Sequence, residues 1–114
     1  MAYLSVKAIM EFIETPIFTK AILDLLPDDQ YRALQAHLTE YPDDGAPIQG
    51  SGGLRKIRWV FKKQGKRGGV RVIYCWVVNR ETIYMIYIYS KSAQNDVSRE
   101  QLKTLRKLVQ EELL

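Results

Sequence analysis

Between Gly45 and Arg80 the chain carries no aspartate or glutamate. Nine of its 17 basic residues fall in that interval: Arg55, Lys56, Arg58, Lys62, Lys63, Lys66, Arg67, Arg71 and Arg80. The remainder of the sequence is net acidic, so the formal charge of +4 is a local patch. The single cysteine, Cys75, excludes an internal disulfide and fits a reducing cytosol, so the expected location is cytoplasmic. No apolar run approaches the ~18 residues of a membrane span. The opening MAYLSVKAIMEF has neither the apolar core nor the cleavage site of a signal peptide. HExxH and paired histidines or cysteines are missing, so no transition-metal site and no cofactor is expected. GSGG and GKRGG are glycine-rich, but neither completes the phosphate-binding GxxxxGK[ST]. The lone His37 lies beside Leu34 and Leu38 at a helix surface or core margin, and nothing in the sequence offers it a triad partner.

What is present is a concentration of like charge. Nine cations repel one another and destabilise the compact state. That cost is tolerable if the patch meets a polyanion, and nucleic acid is the first candidate.

A chain of 114 residues suits one domain with one core. Residues 1–9 are weakly patterned and read as a possible N-terminal extension, with Met10 as an alternative start. Ile9 to Glu14 reads as a short strand. Thr15-Pro16 opens a helix, threonine at the N-cap and proline at the first helical position. Its apolar face holds Ile17, Phe18, Ala21, Ile22, Leu25 and Leu26. Pro27-Asp28-Asp29 starts a second helix, with acids at its positive end. Tyr31, Leu34 and Leu38 recur along it, and it stops near Glu40, because Tyr41 precedes a proline. The two helices form a hairpin.

The turn-rich Tyr41 to Gly53 leads to a strand over Leu54 to Phe61, with Arg55, Ile57, Trp59 and Phe61 on one face and Lys56, Arg58 and Val60 on the other. A cationic loop is expected over Lys62 to Gly69. A second strand runs from Val70 to Val78, Asn79-Arg80-Glu81 turns the chain, and a third strand covers Ile83 to Tyr89. Lys91 to Val97 is a polar loop. Ser98 and Gln101 form a capping box for a closing helix lined by Leu102, Leu105, Leu108, Val109 and Leu113. The order is β-α-α-β-β-β-α, an α+β domain with an antiparallel meander and its helices against one face of the sheet.

Lysine, arginine and tyrosine on a sheet are the available chemistry. Lys56, Arg58 and Arg71 lie on adjacent strands, where cross-strand neighbours converge. Tyr74, Tyr84, Tyr87 and Tyr89 cluster on the other two strands; some must be core, and any exposed ring offers a stacking platform for unpaired bases. Such a cluster can cleave RNA without a metal. The ribose 2′-hydroxyl attacks the adjacent phosphate, and arginines and lysines stabilise the charge that builds on the phosphate oxygens. Crowded cations favour a lysine acting as general base, and a tyrosine or second cation assists the leaving 5′-oxygen. The route requires the 2′-hydroxyl and so predicts RNA over DNA. A solvated basic hairpin without catalysis is the competing reading.

The blocks GSGGLRKIRW, GKRGGVRVIYCW and IYIYSKSAQNDVSREQLKTL, with the helix opening at Thr15 and Phe18, resemble the HigB-like branch of the RelE/ParE toxin superfamily. The resemblance runs from about Met10 to the C-terminus. It implies a RelE-like fold and the toxin of a type II toxin–antitoxin module, a ribosome-dependent ribonuclease that cuts mRNA in the decoding site. It also implies a cognate antitoxin, a HigA-like DNA-binding protein, and contact with operator DNA only through the toxin–antitoxin complex. By position it implies catalytic roles for Lys56, Arg58, Arg71, Tyr89 and Lys91. Lys66 and Arg67 fall in the basic loop and suit RNA backbone contacts; Arg55, Lys62, Lys63 and Tyr74 complete the expected RNA-binding set. The sequence lacks the histidine and glutamate that some relatives use as base and acid. A gyrase-directed toxin of the same fold and a non-catalytic nucleic-acid-binding module are the alternatives.

Overall fold

The computed structural model describes residues 9–63 and 66–113, with side chains described except at 63, 66, 67, 112 and 113. The possible extension over residues 1–9 lies, Ile9 apart, outside the described residues. Strand β1 is Glu11–Glu14. Helix α1, Pro16–Leu25, follows at once, because Thr15 takes the extended N-cap conformation and accepts from Phe18 N. Helix α2, Asp28–Glu40, begins after Pro27 with Asp28 and Asp29 in its first turn. Strands β3 (Leu54–Lys63), β4 (Lys66–Val77) and β5 (Thr82–Ser90) form the antiparallel meander. Helix α3, Arg99–Leu108, starts at Ser98, where both halves of the capping box are made.

Three features add to the sequence reading or depart from it. A two-residue edge strand, β2 (Ala46–Pro47), pairs with β3, giving a five-stranded sheet in the order β1-β5-β4-β3-β2. The first strand, whose pairing the sequence left open, joins the sheet parallel to β5. The basic loop expected over Lys62 to Gly69 is mostly strand: the ladder continues through Lys62↔Arg67 to Lys63↔Lys66. Gly68 and Gly69 lie inside β4, opposite Phe61 and Val60. Interior strand glycines leave a gap on the sheet surface, and this gap matters below.

The helices also do not share one face. One buried cluster joins Phe18, Ile22, Leu34 and Leu38 of α1 and α2 to Ile57, Val72, Tyr74 and Met85 of the sheet. A second joins Leu105 and Val109 to Leu54, Ile73, Cys75, Tyr84 and Ile86 on the other face. The cause is visible along β4 and β5, where both alternating sets are apolar. A sheet with two apolar faces needs cover on both sides.

Strict alternation fails at one point. Ile73 pairs with Tyr87, but the next residue, Tyr74, pairs with Met85, so Ile86 has no partner on β4. This bulge turns Tyr87 and Tyr89 onto the α3 face, away from Ile83 and Met85. Thr15 fixes it from the other side. Its hydroxyl donates to Ile86 O at 2.7 Å, and its amide donates to Met85 O at 3.0 Å.

Candidate active site

The α3 face of the sheet can be followed row by row. The first row, Leu54, Cys75 and Tyr84, is apolar and lies under α3. The second carries Lys56, Ile73 and Tyr87. The third carries Arg58, Arg71 and Tyr89, each opposite the next across the three strands. The fourth pairs Val60 with Gly69, and the fifth pairs Lys62 with Arg67. Basic residues therefore begin one row beyond the apolar row of Leu54, Cys75 and Tyr84.

Arg58 directly opposes Arg71. Like charges in that relation destabilise a sheet by about 0.2–1 kcal/mol. Among the described residues the ion pairs are His37–Asp44 and Lys56–Asp96, so neither arginine has a carboxylate partner there. A fold that keeps two unneutralised guanidinium groups side by side presents a site for an anion. Beside them opens a cleft of about 480 Å³, lined by Arg58, Val60, Gly68, Gly69, Arg71, Lys91, Ser92 and Asn95. The glycine pair forms its open end, since β4 places no side chain in the row beyond Arg71.

The loop after β5 forms the far wall. Backbone bonds from Ala93 N and Gln94 N to Ser90 O curl it back on the strand end. The side chain of Gln94 donates to Asp96 O at 2.8 Å and to Gln101 Oε1 at 3.0 Å, and Gln101 in turn donates to the Tyr87 hydroxyl at 3.3 Å. These bonds tie the loop to the capping box of α3.

One carboxylate enters the basic face. Asp96 Oδ1 accepts from Lys56 Nζ at 2.9 Å, from Val97 N at 2.8 Å and from the Tyr89 hydroxyl at 3.4 Å. The Lys56 hydrogen bond, helped by that from Val97 N, holds the Asp96 carboxyl below the usual carboxylate range. Tyr89 is only 3% exposed. Burial, reinforced by Asp96 and opposed by Arg71, pushes its phenol up to about 12, so the ring stays protonated at neutral pH.

The sequence-derived residues thus divide. Lys56, Arg58, Arg71, Tyr89 and Lys91 come together around the cleft, with Arg58 and Lys91 exposed and Lys56 and Arg71 half-buried. Tyr89 lies beneath the surface rather than in the opening. Lys62 is exposed two rows further along the same face. Lys63, Lys66 and Arg67 are placed by register at the hairpin end, and their side chains lie outside those described. Arg55 is on the opposite face, its guanidinium donating to Asp43 O at 3.0 Å and Gly45 O at 2.8 Å. Tyr74 is fully buried on that face, donating to Pro42 O at 2.9 Å and accepting from Gly45 N at 2.8 Å. It has no exposed ring to stack on a base, so its expected RNA contact is corrected to a structural one. His37 is at the core margin, bonded to Asp44 at 2.7 Å and packed near Trp59.

Sequence reasoning missed Asp96, Ser92 and Asn95. Asp96 is 40 residues from Lys56, and the acid-free interval ends well before it. Its signal was local: it is the one acid in the segment joining the last strand to the Ser98 cap.

No protein-family model matches the chain. Among solved structures the fold is similar to that of the E. coli toxin RelE in the free state, a mutant carrying two arginine-to-alanine substitutions. The TM-score is 0.53 at 16% sequence identity, over 75% of this chain and 87% of that chain. This chain's architecture is a mixed α+β fold with a five-stranded sheet and three α-helices among the described residues.

Proposed function

We propose that this chain is the toxin of a type II toxin–antitoxin module, acting as an endoribonuclease on ribosome-bound mRNA. The observation that carries this reading is the Arg58–Arg71 pair, without a carboxylate partner among the described residues, at the edge of an open cleft, on a fold similar to that of a toxin. In the reaction, the ribose 2′-oxygen forms a bond to the adjacent phosphorus, and the bond from phosphorus to the 5′-oxygen breaks. Negative charge grows on the non-bridging oxygens as this happens. Arg58 and Arg71 offer fixed donors at that charge, the logic of an oxyanion hole. Lys91, on the loop wall, is the candidate proton acceptor for the attacking hydroxyl. Lys56, which donates to Asp96 in the structure, is the candidate proton donor to the leaving 5′-oxygen. Tyr89 forms the floor of the row. Lys62 continues the basic track and suits a further backbone phosphate.

The same reading brings a cognate antitoxin, HigA-like in the HigB branch, with operator DNA contacted only through the complex. Ribosomes would supply the mRNA to the open cleft in an extended, unpaired form. The test is toeprinting on translating ribosomes with purified protein. Cleavage within the decoding site, absent when the scissile nucleotide is 2′-deoxy, supports the reading. Growth arrest without cleavage, accompanied by gyrase inhibition, would replace it with the gyrase-directed alternative.

A further inference from the structure

Asp96 is the one described carboxylate hydrogen-bonded to the rows of this face that carry Lys56 and the Arg58–Arg71 pair. We propose that Asp96 is a positioning residue, which holds the Lys56 ammonium and the Tyr89 phenol at the cleft edge and limits their attraction for substrate. The inference rests on the ribonuclease reading above and assigns a residue that reading does not use.

The geometry separates this role from two others. A mobile anionic plug would sit on a loose segment. Asp96 instead sits on a loop secured at both ends, by backbone bonds to Ser90 O and by the Gln94–Gln101 bonds to the α3 cap. A carboxylate that served only the loop would satisfy itself with Val97 N. Here the same oxygen, Oδ1, also takes Lys56 from β3 and Tyr89 from β5. Three elements converge on one atom. An unanchored lysine has many rotamers, and ordering it for each turnover is unfavourable. A fixed carboxylate orders it beforehand, and its side chain is 62% exposed, so the pair opens to the solvent side where RNA would arrive. The same charge lowers the net positive potential of the site. Its removal should therefore strengthen simple RNA binding while weakening catalysis. A purely structural residue would lose both together.

The experiment uses the full-length protein and four variants: Asp96→Asn, Asp96→Glu, Lys56→Met and the Asp96→Asn/Lys56→Met pair. Binding is read with a fluorescent single-stranded oligoribonucleotide that is 2′-deoxy at every position of possible cleavage, across a salt series. Cleavage is read by toeprinting on translating ribosomes. In Asp96→Asn, cleavage should fall about 10- to 100-fold, as expected for a misplaced catalytic group. Oligonucleotide binding should tighten, with its salt slope steeper by about 0.7, one more cation reaching a phosphate. Asp96→Glu should recover part of the cleavage. In the Lys56→Met background, Asp96→Asn should lower cleavage much less than it does in the wild type, because the Lys56 interaction is already gone and only the Tyr89 contact remains to be lost. Loss of binding and cleavage together, an undiminished fall in the Lys56→Met background, or failure of Asp96→Asn to fold would each overturn the proposal. Faster cleavage by Asp96→Asn would overturn it in favour of an inhibitory plug. Absence of cleavage by the wild type would instead overturn the ribonuclease reading itself.

Discussion

Thr15 donates its hydroxyl to the carbonyl oxygen of Ile86 at 2.7 Å, across 71 residues of sequence. The same hydroxyl oxygen accepts from Phe18 N at 3.1 Å and so caps α1. Ile86 is the residue left over at the β-bulge, and its carbonyl accepts from the Thr15 side chain. One buried hydroxyl thus couples a helix start to the turn in alternation that aims Tyr87 and Tyr89 at the basic row. Thr15→Val should lower stability by about 2–3 kcal/mol, from the lost cap and the buried carbonyl left unpaired. Thr15→Ser, which keeps the hydroxyl, should lose much less. Urea unfolding measures both, and a Thr15→Val variant as stable as the wild type would show that this coupling contributes nothing.

Arg71→Ala should lower ribosome-dependent cleavage by about 10²–10³-fold, the usual consequence of removing one charge-stabilising donor. Its stability should stay level or rise by up to about 1 kcal/mol, because the variant also removes the repulsion from Arg58. Arg71→Lys should rescue poorly, since an ammonium cannot present a planar fork to phosphate. Toeprinting paired with thermal unfolding distinguishes loss of chemistry from loss of fold. Full cleavage by a well-folded Arg71→Ala variant would remove Arg71 from the site.

Tyr74→Phe should behave in the opposite way. Its hydroxyl joins Pro42 O and Gly45 N on the far side of the sheet from the cleft. Removing it should lower stability by about 1–3 kcal/mol and leave cleavage and RNA affinity unchanged. A selective loss of RNA binding at unchanged stability would restore the sequence-based assignment of Tyr74 to the RNA surface.

Stability should decline at alkaline pH. Burial first, and Asp96 second, push the Tyr89 phenol from 10.0 in the unfolded reference up to about 12. The folded protein therefore holds this proton more tightly than the unfolded chain does. Its contribution is complete below pH 10 and is lost as pH rises from 10 towards 12. Burial also pushes up the phenols of Tyr31 and Tyr74, which adds to the decline with the same sign. Urea midpoints across this range should fall less steeply for Tyr89→Phe than for the wild type. Equal slopes would show that the Tyr89 phenol ionises as freely in the folded protein as in the unfolded chain.

Local chemistry was legible in the sequence because its causes are local. Thr15-Pro16 opens α1 and Ser98 with Gln101 opens α3, since a cap needs only its own first turn. Alternation along Leu54 to Phe61 separated Lys56 and Arg58 from Ile57 and Trp59 correctly, because side chains on a strand follow a period of two. The same rule failed at Ile86. An inserted residue shifts every later side chain to the other face, and a bulge has no fixed sequence mark. The reach of the hairpin was also underestimated, because glycines read locally as a loop while pairing with Phe61 and Val60 kept them in the ladder.

The sequence by itself determined the helices, the three meander strands, the basic interval and most of the residues that surround the cleft, since each follows from neighbours in the chain. Tertiary structure alone decided how each sheet face is covered and where alternation breaks. It placed α3 opposite α1 and α2, buried Tyr74 and Tyr89, sent Arg55 to the loop carbonyls and brought Asp96 to Lys56. Those outcomes depend on contacts between residues tens of positions apart. Such contacts are fixed by how two apolar sheet faces find cover, and not by the spacing of residues along any one segment.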